Sequence, residues 1–204
     1  MKTLLKLLAA GLLAASLTAH AGDVDPASVP EKKRTVLAKY LNAADVPGFI
    51  AQQNKNVLFI DVRTPQELQL IGFAQGIDAN IPIVHFRYDR WNEKLGDFDN
   101  ELNPDFVNQV ENLAFERNLD SNAAIVVMCR SGDRSTKAVT LLSEAGYKNV
   151  WSVVDGFEGD MANAGANKGK RSVNGWKNAG LPWSYKPGKP LFHLSTLKSE
   201  PARN

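Results

Sequence analysis

Cysteine is the scarcest residue type in this sequence, because Cys129 is the only one among 204 residues. A single cysteine excludes an internal disulfide. Histidine is nearly as rare: three occur, and only His85 and His193 lie beyond the N-terminal apolar segment. These three side chains lack the spacing of metal ligands, and no glycine-rich phosphate or dinucleotide motif is present. The sequence therefore predicts no metal and no other cofactor.

An excess of charge of either sign is also missing. The chain has 24 basic and 22 acidic residues, and removal of residues 1–21 takes away two lysines and no acidic residue. The remainder is formally neutral. A neutral chain has no electrostatic preference for nucleic acid or for an anionic membrane, so we predict neither as a partner.

Long apolar runs are absent after the first 21 residues. Met1–Ala21 has lysines at positions 2 and 6, an apolar stretch over Leu7–Leu17, and small residues at Ala19 and Ala21. This pattern predicts a cleaved signal peptide rather than a membrane anchor. We therefore expect a protein that is exported, to the bacterial periplasm, and that is not held in a membrane after cleavage.

The rest of the chain alternates between two hydrophobic patterns. Compact apolar runs rich in β-forming residues predict strands at 56–62, 79–86, 123–128 and 150–154. Helical spacing predicts helices at 31–41, 43–53, 64–72, 103–118 and 135–147. Strands that alternate with helices indicate an α/β domain with a mainly parallel sheet.

Cys129 lies between the third predicted strand and a helix, in the stretch VVMCRSGDRS. Ligands bind at such strand ends in open α/β sheets. A turn through Gly132 would direct backbone N–H groups at the sulfur, and the following helix would add its positive end. Arg130 and Arg134 add positive charge, which Asp133 partly offsets. These features favour a reactive thiolate over an inert buried cysteine.

Five motifs together give the chain a family resemblance. FIDVRTPQEL, ANIPI, VVMCRSGDRS, AVTLLSEAGYKNV and DGFEGD, in this order and spacing, resemble a single-domain rhodanese, a sulfurtransferase of thiosulfate or persulfide sulfur. The resemblance extends from about residue 43 to residue 160. It implies a three-layer α/β domain, with a central mainly parallel sheet between two layers of helices.

The resemblance also implies a mechanism. Cys129 would take the outer sulfur of a small anionic donor, thiosulfate or a persulfide, and hold it as a persulfide. A thiophilic acceptor such as cyanide, a thiol or a protein would then remove that sulfur. The active-site and substrate-binding loop would comprise Arg130, Ser131, Gly132, Asp133, Arg134 and Ser135. Its amides would hold the terminal sulfur, and its two arginines would hold the donor's sulfonate or the loop itself.

Asp61 and Arg63 match the family's Asp-x-Arg element. We expect them to support the loop by hydrogen bonds rather than to touch sulfur. For Asp61, a role as a capping carboxylate at the strand-to-helix turn is an equally good interpretation.

Two other functions remain as alternatives. A cysteine phosphatase is disfavoured because four residues, rather than the usual five, separate Cys129 from Arg134, and because Met128 stands where histidine is frequent. A non-catalytic persulfide carrier or sulfur-binding module needs the same cysteine and loop, so the sequence leaves it open.

The predicted organisation has four parts. They are the signal peptide (1–21), a lead-in and helix (22–42), the rhodanese-like domain (43–185) and a C-terminal tail (186–204). Two stretches depart from a minimal rhodanese: a long aromatic loop at 84–102 and an inserted flexible loop at about 158–175.

Side chains in these stretches have several possible roles. We expect Phe86, Tyr88 and Trp91 to pack beneath their loop, and we expect His85 to be structural. Trp176 and Trp183 should dock the returning chain. The basic residues of the inserted loop, Lys168, Lys170 and Arg171, are interpreted as solvated. Asp155 stands where many relatives have glycine, beside the active loop.

Overall fold

The computed structural model describes residues 24–193. The predicted signal peptide and residues 194–204 of the predicted tail lie outside the described residues. The strands are β1 (Tyr40–Leu41), β2 (Val57–Asp61), β3 (Phe73–Ala74), β4 (Ala79–Asn80), β5 (Val84–Asn92), β6 (Asp97–Leu102), β7 (Ala124–Met128), β8 (Val150–Val153) and β9 (Trp183–Ser184). The α-helices are α1 (Val46–Gln52), α2 (Pro65–Ile71), α3 (Phe106–Glu116) and α4 (Asp133–Glu144).

The central sheet has five parallel strands in the order β1-β8-β7-β2-β4. Two of the three inner strands, β2 and β7, pair along their whole length, from Val57 opposite Ala124 to Asp61 opposite Met128. All ten of their residues are buried, as expected for strands covered on both faces. Their carboxyl ends therefore meet at one edge of the sheet, where Cys129 follows β7.

Strand alternation divides the core into two layers. Leu58, Ile60, Ile125 and Val127 pack with the buried residues of α3 and α4. The intervening residues of the same strands, such as Phe59, pack with α1, α2 and the segment after β8. The protein is thus a three-layer α/β domain with two helices on each face of the sheet, as the resemblance implied.

The predicted elements from residue 43 onward are largely confirmed, but the helix at 31–41 is wrong. That segment has one 3-10 turn at Glu31–Lys33, and Ala38 has a positive φ of 49° that interrupts a helix. Tyr40 and Leu41 instead form β1 and pair with Ser152 and Val153. Both residues are buried, so burial at the sheet edge overrides the helical spacing.

The strand predicted at 79–86 is divided between two structures. β4 joins the central sheet, whereas β5 forms an antiparallel hairpin with β6. The long loop expected at 84–102 is therefore a hairpin. Tyr88 and Trp91 each pack against Phe98 yet are 61% and 52% exposed, so these side chains do not pack beneath a loop.

The segment after β8 packs on the α1 and α2 layer. Trp176 is buried, its ring centroid lies 5.6 Å from that of Phe59, and its Nε1 donates to the carbonyl of Pro182. Trp183 lies in β9, which pairs with β3. The chain remains docked as far as His193, whose amide donates to the carbonyl of Asn80.

Segment 158–175 folds back on itself through backbone hydrogen bonds. The amide of Ala162 donates to Lys170, and the amide of Gly169 donates to Ala162. Among the described residues, no helix combines the length and the apolar character needed to cross a membrane.

We predict that Trp176→Ala lowers the free energy of unfolding by about 3–5 kcal/mol, because it leaves a cavity and removes a large buried aromatic surface. Trp91→Ala, the same deletion on the exposed hairpin, is the control and should cost about 1 kcal/mol or less. Urea denaturation of both variants measures the difference. Equal losses would contradict the role of Trp176 in the core.

Candidate active site

Cys129 lies at the carboxyl end of β7, within the core layer formed by α3 and α4, and is 1% exposed. The backbone N–H of Gly132 donates to its Sγ at 3.1 Å. Helix α4 begins at Asp133, directly after Gly132. The sulfur thus lies at the amino-terminal end of a helix, where the helix dipole places partial positive charge.

Two glycines permit this geometry. Gly132 has a φ of 93°, and a Cβ there would overlap the carbonyl oxygen of Val154. Gly156 has a φ of 63°, and a Cβ there would lie 2.6 Å from the carbonyl oxygen of Cys129. The turn after β8 therefore packs directly against the backbone of the cysteine loop.

The loop has two sides with different roles. The amides of Phe157 and Glu158 donate to the carbonyls of Cys129 and Arg130 at 2.8 and 2.9 Å. The amide of Gly132 instead faces the sulfur. The turn after β8, residues 154–159, thus binds the carbonyl groups on one side of the loop. The Gly132 amide on the other side remains directed at the sulfur.

Both arginines of the loop form ion pairs with carboxylates. Arg134 donates from Nη1 and Nη2 to the two oxygens of Glu67 at 2.7 and 2.5 Å. Arg130 donates from Nε to Glu158. Glu67 lies on α2 and Arg134 on α4. Their ion pair therefore joins the two helical layers beyond the carboxyl ends of the strands.

Charge and burial act in opposite directions on the Glu67–Arg134 pair. Burial alone would raise the pKa of Glu67, but hydrogen bonding and the charge of Arg134 hold it below its ordinary value. Burial likewise opposes the charge on Arg134, yet Glu67 raises the pKa of that guanidinium, with smaller contributions from Cys129 and Asp61. Both partners are therefore charged at neutral pH.

Asp61 and Arg63 form a fully buried pair with bonds from Arg63 Nε and Nη2 to the carboxylate of Asp61. Arg63 also donates to the carbonyl of Gly72, and its guanidinium lies 4.2 Å from the ring centroid of Phe157. No side-chain hydrogen bond joins either residue to the 129–135 loop, contrary to the expectation. The reason is strand alternation, which places Asp61 on the face of the sheet opposite Cys129.

The remaining predicted loop residues have structural contacts. Ser131 is buried, and the hydroxyl of Ser135 donates to the carbonyl of Val127 at 3.4 Å. Asp133 is half-exposed and lies 3.4 Å from the Nζ of Lys32. The loop is thus held by its own backbone and by neighbouring segments.

A lysine from the N-terminal segment covers the loop, which the sequence analysis did not anticipate. Lys33 is 3% exposed, and its side chain lies against Gly132. Its Nζ pairs with both carboxylate oxygens of Asp160 at 2.7 and 2.9 Å. Glu67 and Glu158, the partners of the loop arginines, are also not among the predicted site residues. No local sequence pattern predicts a contact between residues so far apart in the chain.

Asp155 connects three segments beside the loop. Its carboxylate accepts from the amide of Ala43 at 2.7 Å and from the amide of Gly175 at 2.9 Å. Burial raises the pKa of Asp155, and these amides oppose the shift only in part. Asp155 therefore ties the start of the domain to the C-terminal segment.

Other predicted residues lie apart from the sulfur. Arg171 donates from Nη1 to the carbonyl of Gly159, on the carbonyl side of the loop. His85 lies on the β5–β6 hairpin opposite Glu101. Within residues 24–193, no group of three or more His, Cys, Asp or Glu side chains has an arrangement that could hold a metal ion.

A family model described as a rhodanese-like domain matches residues 49–163. The chain belongs to the rhodanese-like family. An uncharacterised protein of Rickettsia conorii is 30% identical to this rhodanese-like chain over 132 residues, which are 65% of this chain and 86% of that protein. A thiosulfate sulfurtransferase of Arabidopsis thaliana, chloroplastic, is 34% identical over 99 residues, 48% of this chain and 69% of that protein.

A solved structure shares the rhodanese-like fold. The crystal structure of Rv0390 from M. tuberculosis superposes with a TM-score of 0.51 at 25% identity, over 72% of this chain and 97% of that one. The rhodanese-like domain and the Arabidopsis sulfurtransferase support membership of the sulfurtransferase superfamily.

We predict that Gly132→Ala lowers the free energy of unfolding by about 3 kcal/mol or more, because its Cβ has no space beside Val154. Gly165→Ala is the control: its φ is also positive, at 71°, but nothing lies within 4 Å of the new Cβ. It should cost only about 1–2 kcal/mol of backbone strain. Equal losses in urea denaturation would show that the close approach at Gly132 is unimportant.

Asp155 predicts a pH dependence of stability. Because its folded pKa is raised, the native state binds a proton more readily than the unfolded chain. Its contribution to stability is therefore complete below about pH 4 and declines as pH rises through the folded pKa. The free energy of unfolding of the wild type, minus that of Asp155→Asn, should fall as pH rises above about pH 4. A difference that is constant or rises would refute this assignment.

Proposed function

We propose that this rhodanese-like protein is a sulfurtransferase that carries a sulfane sulfur on Cys129. The observation that carries the proposal is the contact between Sγ and the Gly132 amide at the start of α4. That arrangement provides a nucleophilic sulfur and a donor that stabilises negative charge beside it. The name of the Arabidopsis relative, a thiosulfate sulfurtransferase, supports the same chemistry.

The reaction has two balanced steps. The Cys129 thiolate attacks the outer sulfur of thiosulfate or a persulfide, a new S–S bond forms, and the donor's S–S bond breaks. The electron pair of the broken bond leaves with sulfite or with the donor thiolate. A thiophilic acceptor then attacks the outer sulfur of the Cys129 persulfide, and the thiolate is regenerated. No external oxidant or reductant is required.

The loop geometry is less suited to phosphoryl transfer. Four residues separate Cys129 from Arg134, and both guanidinium Nη atoms of Arg134 already bind Glu67. A tetrahedral phosphoryl group would have to displace that pair.

We also propose export to the bacterial periplasm, supported by the apolar N-terminal sequence. The acceptor is a small thiophile or a protein thiol. A persulfide carrier with a protein acceptor remains the second candidate, because it uses the same buried Cys129.

Intact mass spectrometry tests the proposal. The protein should gain one sulfur atom on incubation with thiosulfate or a hydropersulfide, and should lose it to cyanide with release of thiocyanate. Cys129→Ser should gain none, because the nucleophile is absent.

Two other outcomes are informative. Stable sulfur gain without release to cyanide or small thiols would favour the carrier. Failure of both donors to load a demonstrably free Cys129 would refute the sulfurtransferase proposal.

A further inference from the structure

The positive charges of the active loop are neutralised by carboxylates from other segments. Arg134 forms two bonds with Glu67, and their side chains are 23% and 14% exposed. Arg130 pairs with Glu158, whose side chain is 16% exposed. Neither carboxylate belongs to the loop, so both bring negative charge to it from other segments.

Two lysines that adjoin the loop also pair with carboxylates. Lys33, which covers Gly132, pairs with Asp160, and Lys32 pairs with Asp133. Arg171 has no carboxylate partner among the described residues, but it binds the carbonyl of Gly159. Gly159 belongs to the turn that binds the loop carbonyls, so Arg171 lies away from the Gly132 amide that faces the sulfur.

This balance of charge matters for the choice of donor. Thiosulfate carries two negative charges, and its reaction with a thiolate brings three together, which requires net positive charge nearby. The loop offers the Gly132 amide and a helix end, and both of its arginines are paired with carboxylates. An alkyl hydropersulfide, R–S–SH, carries at most one negative charge on its sulfur chain and needs no such compensation.

We propose that the donor is a small alkyl hydropersulfide rather than thiosulfate, and that Glu67 and Glu158 determine this preference. The inference rests on the sulfurtransferase function proposed above. In the loading step the Cys129 thiolate attacks the outer sulfur of R–S–SH. The Sγ–S bond forms, the donor S–S bond breaks, and its electron pair leaves with R–S⁻. The proton stays on the transferred sulfur.

The test measures second-order rate constants for loading of Cys129 by thiosulfate and by cysteine hydropersulfide, using intact mass, at several ionic strengths. Hydropersulfides react readily with any thiol, so the decisive quantity is the ratio of the two rate constants in each variant. Glu158→Gln preserves the shape of the side chain and removes its charge. It should raise the thiosulfate rate relative to the hydropersulfide rate by about fivefold.

Salt gives a second readout. In the wild type, added salt should accelerate loading by thiosulfate, because it screens repulsion between like charges. In Glu158→Gln this acceleration should weaken or reverse, because Arg130 is then uncompensated.

Two further variants complete the design. Glu67→Gln should change the ratio in the same direction as Glu158→Gln, provided that its thermal unfolding shows a folded protein. Glu116→Gln is the matched control. Exposed Glu116 ends α3 near the amino ends of the strands, away from the cysteine loop. At that end of the sheet the amide of Asp120 donates to the side chain of Asn56. It should change neither the ratio nor the salt dependence.

The outcomes separate this inference from the function on which it rests. An unchanged ratio and unchanged salt dependence in folded Glu158→Gln and Glu67→Gln would overturn the donor preference while sulfur loading itself still occurred. If neither donor loads the wild-type protein, the sulfurtransferase function fails, and the inference fails with it.

Discussion

The hydrogen bonds between the turn after β8 and the carbonyls of Cys129 and Arg130 are the contacts on which the site depends. They hold the loop from one side, so that its Gly132 amide can face the sulfur from the other. The approach is so close that Gly132 and Gly156 must both lack a side chain. Because the backbone itself makes these contacts, the position of the sulfur depends little on the loop's own side chains.

Charged side chains surround this backbone arrangement without entering it. The Glu67–Arg134 pair spans the two helical layers, and Arg130 pairs with Glu158. Lys33 and Asp160 form a third pair over the loop. Buried or partly buried pairs are costly to break from one side, because the remaining charge loses its partner. The pairs thus restrain the loop and also determine the electrostatic potential around Cys129.

Much of this architecture could be read from local sequence patterns. The apolar runs of β2 and β7 predicted buried parallel strands. Helical spacing at 64–72 predicted α2, which begins in the structure with a capping box formed by Thr64 and Glu67. The position of Cys129 between a strand and a helix followed from the same patterns. These features are local, so a short window of sequence contains the physical information that determines them.

The errors arose where distant segments meet. Tyr40 has helical spacing, but it is fixed in β1 by pairing with Ser152. Alternation along β2 turned Asp61 away from the cysteine, and the ion-pair partners of the loop arginines come from α2 and from the turn after β8. No local pattern specifies such contacts, because they depend on the tertiary arrangement.

The order of strands in the sheet also has a consequence for how the chain acquires this site. Among the described strands, β1 pairs with β8 alone, which lies more than a hundred residues later in the chain. The Gly156 turn that supports the cysteine follows β8, and Trp176 closes the second core layer later still. A chain that emerges from its N-terminus therefore cannot assemble its sheet or shield its thiol until most of it is available. Until then Cys129 has neither the contact with the Gly132 amide nor the burial that it has in the folded protein.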